Sequence, residues 1–397
     1  MFEKLETLTP DPILGLMTLY KEDQNPNKID LGVGVYRDES GTTPIMTAVA
    51  RAESIRYQSE TTKAYIGPPG TPGFNSFSQK LILGDECSAL SELRIAGVQT
   101  PGGCGALRVG AELIKRVDPD TTIWVSDPTW ANHGPLLGNT GLKIREYPYY
   151  DSSSRGLNAE RMLDALSNVP AGDVVLLHGC CHNPSGVDLA EDNWQKIAEL
   201  ATTNGFIPFV DLAYQGLGHG LEEDAFGLRI LSKVCPELIV ANSYSKNFGL
   251  YRERVGSLQI ISPSNKESAI VQSQLGSIVR GIYSMPPAHG AAIVEIILAS
   301  QELKQMWEQE LGEMRSRLNT LRRSLSNELS EATNTDFSFI YEQKGMFSFL
   351  GITPKQIETL KDKYSIYMVD SSRINIAGIN DSNRRYFVES MREILRN

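Results

Sequence analysis

The chain has 397 residues, 41% of them hydrophobic and 22% charged, which suits two or three domains with sizeable cores and excludes a disordered or fibrous polypeptide. A formal net charge of −10 argues against a general binder of phosphate backbones, which needs a basic face. Five cysteines without a CxxC pair, and five histidines without HExxH, fit neither a disulfide framework nor a zinc motif, so no metal is expected.

The opening "MFEKLETLTPDPILGLM" mixes charges with apolar residues and lacks the basic start and unbroken apolar core of a secretion signal. No run approaches bilayer length. The expectation is a cytoplasmic protein that neither enters a membrane nor binds nucleic acid. "KIDLGVGVYRDESG" then reads as a strand and a turn.

"TPGGCGALRVGAELIKR" is a glycine-rich turn opening a helix, with Leu107, Ala111 and Ile114 on the buried face. Its free N–H groups and the helix dipole favour an anion, and the absence of GxGxxG or a Walker pattern favours a single phosphate. Four apolar runs follow, "TTIWVSDPTW", "DVVLLHGCCHNPSG", "FIPFVDLAYQG" and "ELIVANSYSK". Continuous rather than alternating apolar character predicts strands buried on both faces, and the last three recur at roughly the length of a βαβ unit. Between them "EDNWQKIAELATTNG" puts Trp194, Ile197, Ala198 and Ala201 on one helical face and ends at Gly205. The prediction is an α/β domain with a mostly parallel sheet flanked by helices. Ligands bind such sheets beyond the strands' carboxyl ends, and here those ends carry Asp127, His182 and Asn183, Asp211 and Tyr214, and Ser243 and Lys246.

After residue 300, apolar residues from Leu303 to Leu329 repeat at helical spacing. "FSFIYEQKGMFSFLGI" predicts two strands about a turn at Lys344-Gly345. "TPKQIETLKDKY" predicts a helix capped by Thr353 with Pro354 at its first position, and "YSIYMVD" and "RINIAG" two further strands. These make a smaller α+β domain, which the first 40 or so residues join. The expected division is 1–44, an arm and the first part of the small domain; 45–311, the large domain; and 312–397, the rest of the small domain.

A lysine after a buried strand, near Asp211 and a phosphate cup, matches what pyridoxal phosphate requires: an amine for its aldehyde and a carboxylate to keep the pyridine nitrogen protonated. Ser243 and Arg254 are spaced to meet the phosphate, and burial and neighbouring cations would lower the lysine's pKa. A solvated loop lysine would leave Asp211, the glycine turn and Arg254 unconnected.

"YSKNFGLYRERVG", "HGCCHNPSG", "DLAYQG", "TPGGCGALR", "YSMPPAHG" and "SSRINIAG" together resemble, along essentially the full chain, the aspartate and aromatic amino-acid aminotransferases of fold type I. The resemblance implies a pyridoxal 5′-phosphate enzyme moving the amino group of L-aspartate, and also of phenylalanine and tyrosine, to 2-oxoglutarate by a ping-pong mechanism. It implies a homodimer with shared active sites. On matching positions, Lys246 becomes the catalytic amine and proton carrier, Asp211 the partner of the pyridine nitrogen, and Tyr214 and Asn183 donors to the 3′-oxygen. Trp130 would stack on the ring. Gly103, Cys104, Ser243 and Arg254 would hold the phosphate, joined by Tyr65 from the partner subunit. Arg373 would clasp the substrate α-carboxylate beside Gly34, Trp130 and Asn183, and Arg280 would reach across the interface to a side-chain carboxylate. His133 and His182 are expected as supporting residues around Asp211 and the cofactor ring rather than as catalysts, and Asp127-Pro128 and Asn183-Pro184 as cis bonds.

Four positions depart from the aspartate-type pattern: Cys104 for Ser or Thr, Ala64 and Met285 for frequent asparagines, and Ser372 for glycine. Ala64 and Met285 remove amides near the pocket and point to a second reading, a primarily aromatic amino-acid aminotransferase. Three competing functions explain the residues less well. A β-lyase or decarboxylase is disfavoured by the paired Arg280 and Arg373. A hydrolase with Cys104 as nucleophile and His182 as base leaves Lys246 and Asp211 unexplained, and a non-catalytic scaffold has no need of either.

Overall fold

The computed structural model describes residues 1–7 and 12–396. A seven-stranded sheet runs in the order Ile95–Pro101, Val255–Ile261, Leu238–Ser243, Ile207–Leu212, Val174–His178, Thr122–Asp127, Lys143–Pro148. All neighbours pair in parallel except Val255–Ile261, which is antiparallel to both of its own. Its antiparallel course follows from a link of only residues 244–254 after the preceding strand, too short for a crossover helix.

The apolar runs are buried because helices cover both faces. On one face Leu107, Ala111 and Ile114 of the helix Gly102–Val117 join Phe209, Ile123 and Leu258. On the other, Trp194, Ile197 and Ala201 of the helix Glu191–Asn204 join Leu177, Val210 and Leu228. That helix stops at Gly205, whose φ of 77° is the left-handed conformation glycine allows.

A third core gathers both chain ends. Ile29 and Leu31 meet Ile366, Ile374 and Phe387 there, and Ile29–Asp30 pairs in parallel with Ile366–Tyr367. The helix Gln301–Thr333 joins two cores: Leu303 to Leu318 lie in the first, Leu321 to Leu329 in the third. Thr353 is the predicted N-cap and accepts from the Gln356 N–H, and Gln356 completes a capping box.

The predicted hairpin at 337–352 is corrected: Phe339–Glu342 is a helical turn and only Phe347–Phe349 a strand, paired with Arg373–Asn375. The cause is Arg322, fully buried on the long helix. Its guanidinium donates to the carbonyls of Ile340 (2.8 Å), Lys344 (3.0 Å), Gly345 (2.9 Å) and Phe347 (2.6 Å). Carbonyls converging on one cation cannot alternate along a hairpin ladder. Burial lowers the Arg322 pKa to about 10. Among the described residues no helix is long and apolar enough to cross a membrane.

Candidate active site

A cavity of about 260 Å³ opens at the carboxyl ends of the parallel strands. Asp211 reaches it from the strand Ile207–Leu212, with Tyr214 just beyond, and Ser243 ends the strand Leu238–Ser243, with Lys246 three residues on. Gly103 and Cys104 enter from the start of the helix Gly102–Val117, and Trp130 and Asn183 from loops after two further strands. Arg254, Gly34 and Arg373 complete the predicted set. Tyr65 and Arg280 do not line the cavity: Tyr65 is 92% exposed and Arg280 is exposed, donating to the Ser284 hydroxyl.

Asp211 is held from behind. His133 Nε2 lies 3.1 Å from its Oδ2, and Thr129 Oγ1 is 2.8 Å from His133 Nδ1 and 3.2 Å from His178 Nε2. One proton order satisfies the chain: His178 donates to the Thr129 oxygen, Thr129 to His133, and His133 to the carboxylate. Burial alone would raise the Asp211 pKa, but the His133 hydrogen bond, with the His133 and His178 rings and Lys246 close by, outweighs it, so Asp211 stays below the usual carboxylate range. Burial depresses His178 to about 3.

Lys246 is shifted down by burial, against the pull of Asp211, which leaves more free amine at neutral pH. Its Nζ sits 5.2 Å from the centre of the Tyr214 ring. At the opposite wall, Arg373 donates to the Gly32 carbonyl at 2.6 Å and to Asn183 Oδ1 at 3.4 Å, with its guanidinium 4.5 Å above the Phe347 ring. Ser372 beside it has a φ of 69°, a left-handed value that is strained for serine and free for glycine.

The donor set fits pyridoxal phosphate. The helix start, Ser243, Ser245 and Arg254 make an anion cradle kept open by missing side chains: a Cβ on Gly102 would fall 2.5 Å from Arg254 Nη2, and one on Gly103 3.1 Å from Ser243 Cβ. An amine and an ionised carboxylate share that cavity.

His133 bonds Asp211 directly, whereas His182 stands one step back, its ring centre 4.2 Å from that of His178. His182 is fully buried and bonded at both ring nitrogens, to Ser126 Oγ (3.0 Å) and Ser185 Oγ (2.8 Å). That leaves it unsuited as a base for Cys104, whose sulfur accepts instead from Asn132 Nδ2 at 3.9 Å. Asp127-Pro128 and Asn183-Pro184 are both cis. Sequence reasoning missed His178, Ser245, Phe347 and Ile13, all lining the cavity. Ser245 adjoins Lys246 and was within reach of the motif, whereas Phe347 and Ile13 come from distant segments that no local signal marks. Among the described residues, Cys180, Cys181 and Asp224 form the one group able to hold a metal, yet Asp224 already accepts from the N–H groups of Gly216, Gly218 and His219.

The family model for aminotransferase class I and II matches residues 26–391. The chain is 46% identical over 396 residues to the aspartate aminotransferase of Salmonella typhi, covering 100% of both sequences. It is 45% identical over 383 residues to the aromatic-amino-acid aminotransferase of Paracoccus denitrificans, covering 96% of each. Its fold matches that of the aromatic-amino-acid aminotransferase of Burkholderia pseudomallei covalently bound to pyridoxal phosphate, with a TM-score of 0.98 at 41% identity, covering 100% of this chain and 99% of the other.

Proposed function

The chain belongs to the class I and II aminotransferases and is a pyridoxal-phosphate-dependent transaminase, and from that premise we propose that it moves the amino group of L-aspartate, phenylalanine and tyrosine to 2-oxoglutarate by ping-pong exchange. The observation that carries this reading is the convergence of Lys246, Asp211, Arg254 and Arg373 on one cavity.

When bound, pyridoxal phosphate supplies an aldehyde and an electron-withdrawing ring. Lys246 would hold the group through its amine and would carry the proton at the substrate Cα. Asp211, ionised and backed by His133, keeps the ring nitrogen protonated. Arg254 and Ser243, with Gly103 and Cys104 at the helix start, hold the phosphate, while Tyr214 and Asn183 donate to the 3′-oxygen and Trp130 covers the ring. Arg373 takes the substrate α-carboxylate, with Gly34, Asn183 and Trp130 beside it.

Tyr65 and Arg280 act on the partner subunit's site in a homodimer, Tyr65 at the phosphate and Arg280 at a side-chain carboxylate. Their exposure supports this, as do exposed apolar side chains near them in sequence: Ile45, Tyr57 and Ile282. Residues 1–44 and 312–397 form a small domain against 45–311, and five free cysteines suit a reducing cytoplasm. Ala64 and Met285 favour the aromatic substrates as a second reading.

The test is amino-group transfer to 2-oxoglutarate from aspartate, phenylalanine and tyrosine, with Lys246→Ala as control. Transfer by the wild type and a loss of about 10⁴-fold in the control are expected. Undetectable turnover of all three substrates ends the proposal, and aromatic rates above the aspartate rate select the second reading.

A further inference from the structure

Arg373 is held by backbone that is itself held from a distance. The Gly32 carbonyl that accepts from Arg373, and Gly34 in the cavity wall, belong to the segment 30–37. This segment leaves its two-residue strand after Asp30 and turns on that residue's carboxylate. Asp30 Oδ1 accepts from the N–H groups of Gly32 (3.0 Å) and Val33 (3.4 Å), while Arg37 donates to Oδ2 at 2.5 Å and to the Asp30 carbonyl at 3.0 Å.

Asn375 closes the other side. It lies two residues from Arg373 on the same strand and is 1% exposed. Its Nδ2 donates to the carbonyls of Val33 (2.6 Å) and Val35 (2.7 Å), which flank Gly34, and its Oδ1 accepts from the Ala377 N–H at 3.0 Å. Every polar atom of the carboxamide is used, so its orientation is fixed. The wall has no slack either: a Cβ on Gly34 would fall 2.9 Å from Phe347 Cζ, in the ring beneath Arg373.

We propose that Asn375 is a positioning residue for the substrate α-carboxylate, with the Asp30–Arg37 pair as second anchor: together they set where the Gly32 carbonyl steadies Arg373 and where Gly34 faces the bound carboxylate. This deepens the proposed function and rests on its assignment of Arg373. Asn375 touches neither substrate nor cofactor and acts through Gly32 and Gly34.

Asn375→Asp keeps shape and the Oδ1 acceptor but turns a carboxylate oxygen toward two carbonyls, replacing two donated bonds by repulsion. The probes are succinate, with two carboxylates, and 3-phenylpropionate, with one; neither carries an amino group to transfer. Binding to the holoenzyme is measured by calorimetry, beside KM, kcat, cofactor absorption and the melting midpoint. Both dissociation constants are expected to rise by the same factor, about tenfold, and KM with them, while kcat changes by less than about threefold and cofactor absorption holds. Asp30→Asn keeps the turn at Oδ1 but removes the charge facing Arg37, and a rise of about threefold is expected.

Unchanged affinity for both probes overturns the proposal, whatever the melting midpoint does. So does weakening of succinate alone, which places the effect at the second carboxylate. If Asn375→Asp does not fold, Asp30→Asn decides, and unchanged affinity there is the overturning result. A wild type that binds both probes yet transfers no amino group sinks the proposed function and leaves this inference standing. A wild type that binds neither sinks this one.

Discussion

The rim of the parallel sheet and the outward surface bearing Tyr65 and Arg280 are built in opposite ways. At the rim Asp211 is buried and backed by His133 and Thr129, and Arg373 is fixed by Gly32 and Asn183. On the surface Tyr65 is 92% exposed and Arg280 donates to Ser284, four residues along its own chain. The contrast teaches which chemistry one chain can preorganise. Groups that must hold a charge or a proton at one atom are surrounded by their own fold, whereas those left in solvent gain a fixed position only against another surface.

The sharpest way to break that comparison is a mixed assembly. Lys246→Ala disables the rim and Arg280→Leu the surface; the second is expected to lose about 100-fold with aspartate. Each variant alone is expected to retain about one per cent or less of the wild-type aspartate activity. If Arg280 serves the partner's site, a refolded equal mixture regains about a quarter of wild-type activity, because half of randomly paired dimers are mixed and each has one intact site. Activity no greater than the sum of the separate variants would return Arg280 to its own chain's site and abolish the distinction.

Within the rim, His178 sharpens the comparison by giving it a pH axis. Burial first, with His133 beside it, holds His178 at about 3, and Asp211 only partly opposes this. The unfolded chain therefore takes up a proton below about pH 6.5 that the folded chain refuses until about pH 3. Stability from this group is present at neutral pH and is lost as pH falls through that window. Relative to His178→Gln, the wild-type holoenzyme should lose on the order of 3 kcal/mol between pH 7 and pH 4. Denaturant midpoints at both pH values check it, and a gap between the two proteins that stays constant with pH removes His178 from the acid response.

How much of this was legible depended on where each residue stands along its strand. Asp211, Ser243 and Lys246 were legible because long apolar runs end beside them, and the end of a parallel strand is where ligands bind. His178 closes its own strand yet was passed over, because its function is carried by Thr129 and His133, partners that no spacing announces. The antiparallel course of Val255–Ile261 was readable from the short link before it, but apolar content alone does not give direction. The hairpin predicted at 337–352 failed because one buried cation, Arg322, organises that segment from another helix. Long-range side-chain contacts override local pattern there, as Asn375 does for the segment 30–37.

The smallest expected effect lies at the helix start proposed to hold the phosphate. Cys104 is the third residue of the helix Gly102–Val117, and its sulfur contacts Asn132 Nδ2 at 3.9 Å. A thiol is a weaker donor than a hydroxyl, and a neutral hydrogen bond contributes about 1 kcal/mol net. Cys104→Ser should therefore tighten cofactor binding by about threefold in a titration of the apoenzyme, with turnover within about twofold of wild type. Cys104→Ala should keep transfer as well, because the helix N–H groups, Ser243 and Arg254 remain. Loss of activity in both variants would make the sulfur itself reactive and revive a nucleophilic role. Weaker cofactor binding in the serine variant would mean instead that the cradle is shaped for the larger sulfur atom, so that size rather than donor strength sets the residue there.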